Sequence, residues 1–223
     1  MSKVIIIVNA QVNKGKISAN APVAQKMALA LSKSITESNS CHKIEIVSGA
    51  DLWSKSLPIS DSDEDTIYCP LTIKLPDWFH FPAQHIYYAC RDVEKRRKWV
   101  QQHFNHKTSK DNLWLGDLWL PIIFTPEKLI YSDIIGEGIL PNDYQQPQNL
   151  PSEIYTDLQT LAKELLNSIQ AIPSVYLLQF RMLDDNIIFD RLWPFPASSA
   201  IASINVHKPD LFAHHWHCLS GSF

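Results

Sequence analysis

The sequence predicts an α/β protein in which an N-terminal parallel strand-helix-strand unit packs on a C-terminal α+β lobe. A continuous β-branched run occupies residues 3–8, apolar residues recur at helical spacing over 22–36, and a second strand-like run covers 43–47. Two strands joined through one helix pair in parallel with a right-handed crossover. In the second half, a long amphipathic segment at 152–170 lies between strand-like pairs, as expected of an α+β lobe.

The first predicted helix has one apolar face, formed by Val23, Met27, Leu31 and Ile35. Asn20 precedes it, and an asparagine at this place is expected to cap the helix. Beyond the second strand, apolar runs predict strands at 66–69 and 86–89. A charged helix is predicted at 93–104, with Asp92 as its N-terminal cap.

A polar segment at residues 105–111 divides the chain into two predicted lobes. Residues 1–110 form a Rossmann-like α/β lobe, and residues 111–223 form the α+β lobe. Basic residues exceed acidic ones before this segment, and the balance reverses after it. A change of composition at a polar stretch is typical of a domain boundary.

The C-terminal lobe begins with apolar runs that predict a hairpin, and its helix has the most regular pattern in the chain. That helix is supported by Ile154, Leu158, Leu161, Leu165 and Ile169. Asp184, Asp185 and Asn186 are turn-forming residues between two apolar runs, and they predict a second hairpin. In order, the predicted elements are strands at 121–124 and 129–131, a helix at 152–170, a hairpin at 175–192 and helical segments at 198–205 and 209–218.

Charge and glycine content argue against two large classes of binding protein. The net charge of −3 is atypical of a nucleic-acid binder, which usually has a basic surface. The one basic run, Lys95–Lys98, is predicted to be a solvated helix face. With six glycines and no GxGxxG or GxxxxGK[ST] pattern, the chain lacks the standard phosphate loops of dinucleotide and P-loop sites.

Cysteine spacing and hydropathy indicate the cellular compartment. The cysteines at 41, 69, 90 and 218 are far apart in sequence, which favours neither a zinc ribbon nor a disulfide framework. No apolar run approaches the roughly 20 residues that cross a membrane, and the first run is too short for a signal peptide. We therefore expect a reducing, cytoplasmic location and no membrane association.

Two strand motifs in the C-terminal half resemble those of a known enzyme family. The first is Leu177-Leu178-Gln179-Phe180, and the second begins Phe189-Asp190-Arg191-Leu192-Trp193 and continues through Pro194-Phe195-Pro196-Ala197. Together with Gly138-Ile139-Leu140-Pro141 and the helix after Pro151, this order resembles the C-terminal half of ATP-grasp ligases, most closely the purine-biosynthetic members. The resemblance implies half of an ATP-grasp fold over roughly residues 120–220, with ATP and Mg²⁺ as possible cofactors.

Within this resemblance, four side chains lie at the cofactor-binding position: Gln179, Arg181, Asp190 and Arg191. In the family, glutamates on the two strands bind the magnesium ions of Mg-ATP. Gln179 and Arg191 stand at those two positions, and an amide and a cation are poor Mg²⁺ ligands. The resemblance thus implies a degenerate, non-catalytic relative that binds a protein partner or a small ligand. The alternative is an active ATP- and Mg-dependent carboxylate-amine ligase-like enzyme with unorthodox metal ligands: Asp190, Asp133 or Glu137.

Two further groups of side chains are candidates for chemistry. Asp133 and Glu137 flank a glycine-containing turn that could bind metal, although loop solvation also explains them. His214, His217 and Cys218 would share one helix face and could bind Zn²⁺, the weaker cofactor candidate, or they could belong to a packing helix.

Two tryptophans beside the predicted boundary have two interpretations. If exposed, Trp114 and Trp119 would form a partner surface, and if buried they would belong to the core between the lobes. Burial is the favoured interpretation because the surrounding segment is very apolar.

Overall fold

A computed structural model describes residues 3–38, 42–54, 66–104, 106–109 and 115–222. The N-terminal elements are β1 (Lys3–Val8), β2 (Val12–Asn13), β3 (Lys16–Ile17), α1 (Pro22–Glu37), β4 (Lys43–Ser48), α2 (Gly49–Trp53), β5 (Thr66–Leu71), α3 (Gln84–Arg91) and α4 (Val93–Phe104). The C-terminal elements are β6 (Lys107–Thr108), β7 (Leu118–Phe124), β8 (Leu129–Tyr131), β9 (Ile134–Glu137), β10 (Tyr144–Gln148), α5 (Ser152–Ser168), β11 (Ser174–Leu183), β12 (Asn186–Trp193), a 3₁₀ helix (Ser198–Ser203) and α6 (Leu211–Ser220).

The N-terminal sheet is parallel, with strand order β4-β1-β5. Lys3 aligns with Lys43 on one side and with Thr66 on the other. The central strand β1 is buried from Val4 to Val8, which explains why its sequence is a continuous apolar run rather than an alternating one. The predicted parallel strand-helix-strand unit is confirmed.

The larger sheet is mostly antiparallel and, in the part of the chain that the structure describes, has the order β10-β9-β7-β11-β12-β6, with β8 also paired to β7. Its centre is formed by β7, β11 and β12, whose side chains alternate between two apolar cores. One face contributes Trp119, Val175 and Leu177 to a core shared with β1, α1 and α6. The other face contributes Leu120 and Leu178 to a core covered by α3, α4 and α5.

These shared cores join the two predicted lobes closely. Helices α3 and α4 precede the predicted boundary, yet their Ile86, Cys90 and Val100 pack on the C-terminal sheet. Trp119 is buried at 5 % exposure in the core that contains β1, which confirms the favoured interpretation for this residue. Trp114 and part of the segment 105–111 lie outside the described residues, so the domain boundary stays a prediction.

Two sequence predictions in the N-terminal half are wrong. The strand predicted at 86–89 is part of helix α3, in which Ile86, Tyr87 and Cys90 are buried at helical spacing. With eight residues the helix has only about two turns, so its helical period is hard to recognise in the sequence. The predicted cap of α1 at Asn20 is also wrong: Ala21 occupies the cap position and makes no side-chain cap bond. The cap of α4 is confirmed, since Asp92 accepts a hydrogen bond from the backbone N–H of Lys95 at 3.1 Å.

Two other predictions differ from the structure because tertiary contacts decide them. The basic run was expected to be solvated, but Arg96 and Arg97 are 6 % and 2 % exposed. The glycine-containing turn after Asp133 is strand β9, in which Gly136 pairs with β7 and β10. Among the described residues, no helix is both long and apolar enough to cross a membrane.

Candidate functional site

A cleft of about 690 Å³ lies between the two sheets. Its N-terminal wall is formed by the residues that follow β1 and β5, Asn9 and Thr72, and by the first turn of α1. Its C-terminal wall is the face of the large sheet that carries Gln179 and Arg191. The carboxyl ends of parallel strands, where the chain leaves the central strand in opposite directions, are a common place for ligands in α/β proteins.

Strand register places three side chains of the large sheet in one row. Gln179 on β11 is directly opposite Trp119 on β7 and directly opposite Arg191 on β12. Opposite residues of neighbouring strands point to the same face, and all three line the cleft. The two positions that the sequence resemblance assigned to metal ligands are therefore adjacent and face the same space.

Both ends of the Gln179 amide are used in hydrogen bonds with the protein. Its Nε2 donates to the carbonyl oxygen of Gly116 at 2.6 Å, and its Oε1 accepts from the indole N–H of Trp193 at 2.8 Å. The residue is only 5 % exposed. Gln179 thus fixes the cleft wall by joining the segment before β7 to the end of β12.

Arg191 is held at one end and has its remaining donors at the cleft. Its Nε donates to Asp190 Oδ1 at 3.2 Å, and its guanidinium carbon lies 5.6 Å from the centre of the Trp193 ring. Among the described residues, its two terminal nitrogens have no hydrogen-bond partner. A guanidinium held in this way presents a planar pair of donors, which matches a carboxylate or phosphate.

Asp190 is a buried structural anion. It is 0 % exposed and occupies a β-bulge, because Arg191 pairs with Gln179 whereas Phe189 pairs with Phe180. Its carboxylate accepts hydrogen bonds from Arg97 Nη2 at 2.6 Å and from the Gly116 N–H at 2.8 Å, in addition to Arg191 Nε. These three donors hold the carboxylate in one position.

The cleft has few other charged groups. Lys74 and Glu137 line opposite walls, and the Asn142 N–H donates to Glu137 Oε1 at 3.4 Å. The Tyr144 hydroxyl lies 3.1 Å from the Ser198 hydroxyl. Burial raises the pKa of Tyr144 above its ordinary value, so this phenol stays protonated at neutral pH.

Solved structures that share this chain's architecture include purine-biosynthetic proteins and a putative ATP-grasp superfamily protein. The ATPase subunit of phosphoribosylaminoimidazole carboxylase from Aquifex aeolicus superposes with a TM-score of 0.67 at 9% identity, over 98% of this chain and 76% of that chain. N5-carboxyaminoimidazole ribonucleotide synthetase from Thermotoga maritima gives 0.63 at 9% identity, over 99% and 76%. The fold is ATP-grasp-like. No protein-family model and no curated protein matches the sequence.

A third similar structure shows how much of the fold this chain spans. A putative ATP-grasp superfamily protein from Archaeoglobus fulgidus has a TM-score of 0.62 at 10% identity, and the match covers 99% of this chain and 88% of that chain. The likeness thus extends over nearly the whole chain and is not confined to the C-terminal half that the sequence motifs indicated. At such low identity it concerns the fold alone.

The residues present do not fit the magnesium ions that the sequence resemblance implies. The Gln179 amide oxygen already accepts from the Trp193 indole N–H and is a weaker Mg²⁺ ligand than a carboxylate, and Arg191 adds a cation to the same wall. Asp190 is fully buried and already accepts from three donors. Mg²⁺ prefers several accessible carboxylate or water oxygens, and among the described residues of this wall Glu137 is the one exposed carboxylate.

The other predicted ligands are not gathered into a metal site: among the described residues, no group of three or more His, Cys, Asp or Glu could hold a metal ion. Asp133 lies 3.5 Å from His207, not beside Asp190. Cys218 is buried and donates to the Phe124 carbonyl, and the rings of His214 and His217 are 6.5 Å apart.

Arg181, the fourth predicted cofactor residue, is not among the residues that line the cleft. Its Nη2 lies 4.0 Å from Asp117 Oδ2, and its side chain is 24 % exposed. The sequence interpretation missed Arg97 and Gly116, which hold Asp190 in place. A single sequence contains no signal for such a pairing, since Arg97 and Asp190 are 93 residues apart.

Proposed function

We propose that this chain is a non-catalytic ATP-grasp-like protein that binds a small anionic ligand in the cleft without a metal ion. The observation that carries the proposal is the in-register pair of Gln179 and Arg191 on the cleft wall. In a ligase of this fold, the wall would attract the phosphates of ATP through magnesium. Here Arg191 itself is the positive group, so the anion binds to its guanidinium directly.

Three features support direct anion binding. Asp190 and Trp193 fix the position of Arg191, which lowers the entropic cost of ligand binding. Lys74 adds a second cation to the cleft. The first turn of α1 also borders the cleft, and its N–H groups lack a side-chain cap and carry partial positive charge.

The same features oppose ligase chemistry at this wall. Carboxylate-amine ligation by way of an acyl phosphate requires stabilisation of the charge that develops on the transferred phosphoryl group, usually by metal ions. The Gln179 amide is committed to Gly116 and Trp193, and Asp190 is committed to Arg97. These groups serve the fold, so the cleft is better suited to holding a ligand than to transferring a phosphoryl group.

The test is a thermal-shift and calorimetry series with inorganic phosphate, acetate and ATP, each in EDTA and in Mg²⁺. We expect anions to raise the Tm equally in EDTA and in Mg²⁺, because no metal is needed. Arg191→Met should abolish the shift. Arg181→Met is the matched control, since this arginine does not line the cleft, and it should bind anions as the wild type does.

Two results would overturn the proposal. One is stabilisation by ATP that requires Mg²⁺ and survives Arg191→Met. The other is ADP formation from Mg-ATP when carboxylate and amine substrates are supplied. Either result would favour the active, ligase-like alternative.

A further inference from the structure

We infer that the ligand of the cleft is an aromatic acid, a flat ring that carries one carboxylate or phosphate group. This inference rests on the proposed function, since it takes Arg191 as the anion-binding group. It goes further by assigning the rest of the ligand.

The cleft is too large for an inorganic anion alone. Its volume of about 690 Å³ lies within the range of sites for small organic molecules, roughly 300–1,000 Å³. A simple anion at Arg191 would leave most of this space filled with water. A ligand that fills the cleft therefore has an organic body beyond its charged group.

The walls indicate that this body is apolar. Most of the lining side chains beyond the charged groups are aliphatic or aromatic, among them Val23, Met27, Leu71, Ile73 and Leu115. Leu115 is 48 % exposed, and covering it would remove apolar surface from water.

A planar platform beside the anion-binding group favours a ring. The Arg191 guanidinium lies over the Trp193 indole, and Trp193 in turn is edge-to-face with Phe195 at 5.9 Å between ring centres. The hydrogen bond from Trp193 to Gln179 fixes the plane of the indole. Guanidinium and indole planes both stack on aromatic rings, so a ring attached to the bound anion has a surface to lie against.

The walls also offer a polar contact at the far side of the cleft. Tyr144 packs edge-to-face on Trp119 at 5.4 Å, and its hydroxyl reaches Ser198. The Tyr144 hydroxyl also donates to Asn142 Oδ1 at 3.2 Å, so these two hydroxyls have lone pairs left with which to accept a hydrogen bond from one substituent on the ring. The arrangement thus orients a substituted aromatic acid with its charge at Arg191.

The test compares matched ligands by calorimetry in EDTA: benzoate, cyclohexanecarboxylate, acetate and phenyl phosphate. Benzoate should bind about 2- to 10-fold more tightly than cyclohexanecarboxylate, which has the same charge and a similar size but no flat ring. A comparison of phenyl phosphate with benzoate shows whether the cleft prefers a phosphate or a carboxylate as the charged group of the ligand. Trp193→Leu should remove the preference for benzoate, whereas Trp193→Phe should keep it.

The outcomes separate this inference from the proposed function. Acetate and cyclohexanecarboxylate could bind as tightly as benzoate, with Arg191→Met abolishing the binding of all three acids. In that case the proposed anion binding is supported and the assignment of an aromatic ligand is wrong. If no acid binds, both are wrong. The comparison of ligands on the wild-type protein needs no variant, so a Trp193 variant that fails to fold does not block the test.

Discussion

The buried ion pair between Arg97 and Asp190 predicts a large loss of stability when one partner is removed. Arg97 is 2 % exposed and donates to both the carbonyl and the carboxylate of Asp190, at 3.1 and 2.6 Å. In Arg97→Met the carboxylate stays buried, and within the described part of the chain it keeps the Gly116 N–H and Arg191 Nε as donors. Breaking one partner of a buried pair costs about 3–5 kcal/mol, which is the expected decrease in the free energy of unfolding.

The assay is urea denaturation followed by tryptophan fluorescence and circular dichroism, with the free energy taken from the midpoint and slope. Glu94→Gln is the matched control, because Glu94 is also bonded to Arg97 but is 67 % exposed, and its loss should cost less than about 1 kcal/mol. Arg97→Met combined with Asp190→Asn should cost less than the sum of the single changes. A loss below about 1 kcal/mol in Arg97→Met would refute the reasoning.

Three further predictions concern other buried groups. Gly116→Ala should destabilise the fold and weaken anion binding, measured by urea denaturation and calorimetry, because its added Cβ would meet the backbone of Phe180. A functional Gly116→Ala protein of wild-type stability would contradict this. Burial lowers the pKa of His215 to about 3, so on acidification the unfolded chain binds a proton at this histidine before the folded protein does. The free energy of unfolding should therefore fall as the pH decreases from about 6.5 towards 3, by up to about 1.4 kcal/mol per pH unit. His215→Gln should flatten this part of the stability curve, and an unchanged curve would exclude His215 as its source. Burial raises the pKa of Cys90 and of Cys218 to about 12. Iodoacetamide at pH 8 should therefore alkylate both thiols far more slowly in the native than in the unfolded protein, as measured by peptide mass spectrometry. Equal alkylation rates would show that the thiols are accessible in the native protein.

The sequence predicted the elements whose pattern is long and regular. Strand β1 is a β-branched run, α5 repeats its apolar face over more than four turns, and β11 and β12 are joined by turn residues. In that turn, Asp184 and Asp185 adopt positive φ angles, which aspartate tolerates better than most residues. Local pattern and tertiary structure agree in these elements, so no information beyond the chain's own periodicity was needed.

Short or polar elements were not predictable in the same way. Helix α3 has only eight residues, and its apolar, aromatic composition is equally typical of a strand. Strand β10 is Tyr-Gln-Gln-Pro-Gln, a polar edge strand whose pairing with β9 is visible only in three dimensions. Its sequence does not differ from that of a loop.

The candidate site was predicted in part. Gln179 and Arg191 were identified from motif positions, and the structure places them directly opposite each other on neighbouring strands, whereas their role in binding a cofactor stays a prediction. The bonding partners of these side chains could not be predicted. Asp190 was predicted as a possible metal ligand, but in the structure Arg97 on α4 forms a buried ion pair with it. Contacts between segments this far apart depend on the whole fold.

The Asp190 bulge makes the composition of the cleft wall hard to change by single mutations. A glutamate at 179 would lose the amide donor to Gly116 and set a carboxylate against that carbonyl oxygen. A glutamate at 191 would remove one donor from the buried Asp190 and add a second negative charge beside it. Each single substitution towards a carboxylate-rich wall is therefore expected to lower the free energy of unfolding before any metal can bind. Such a wall would require several coordinated substitutions.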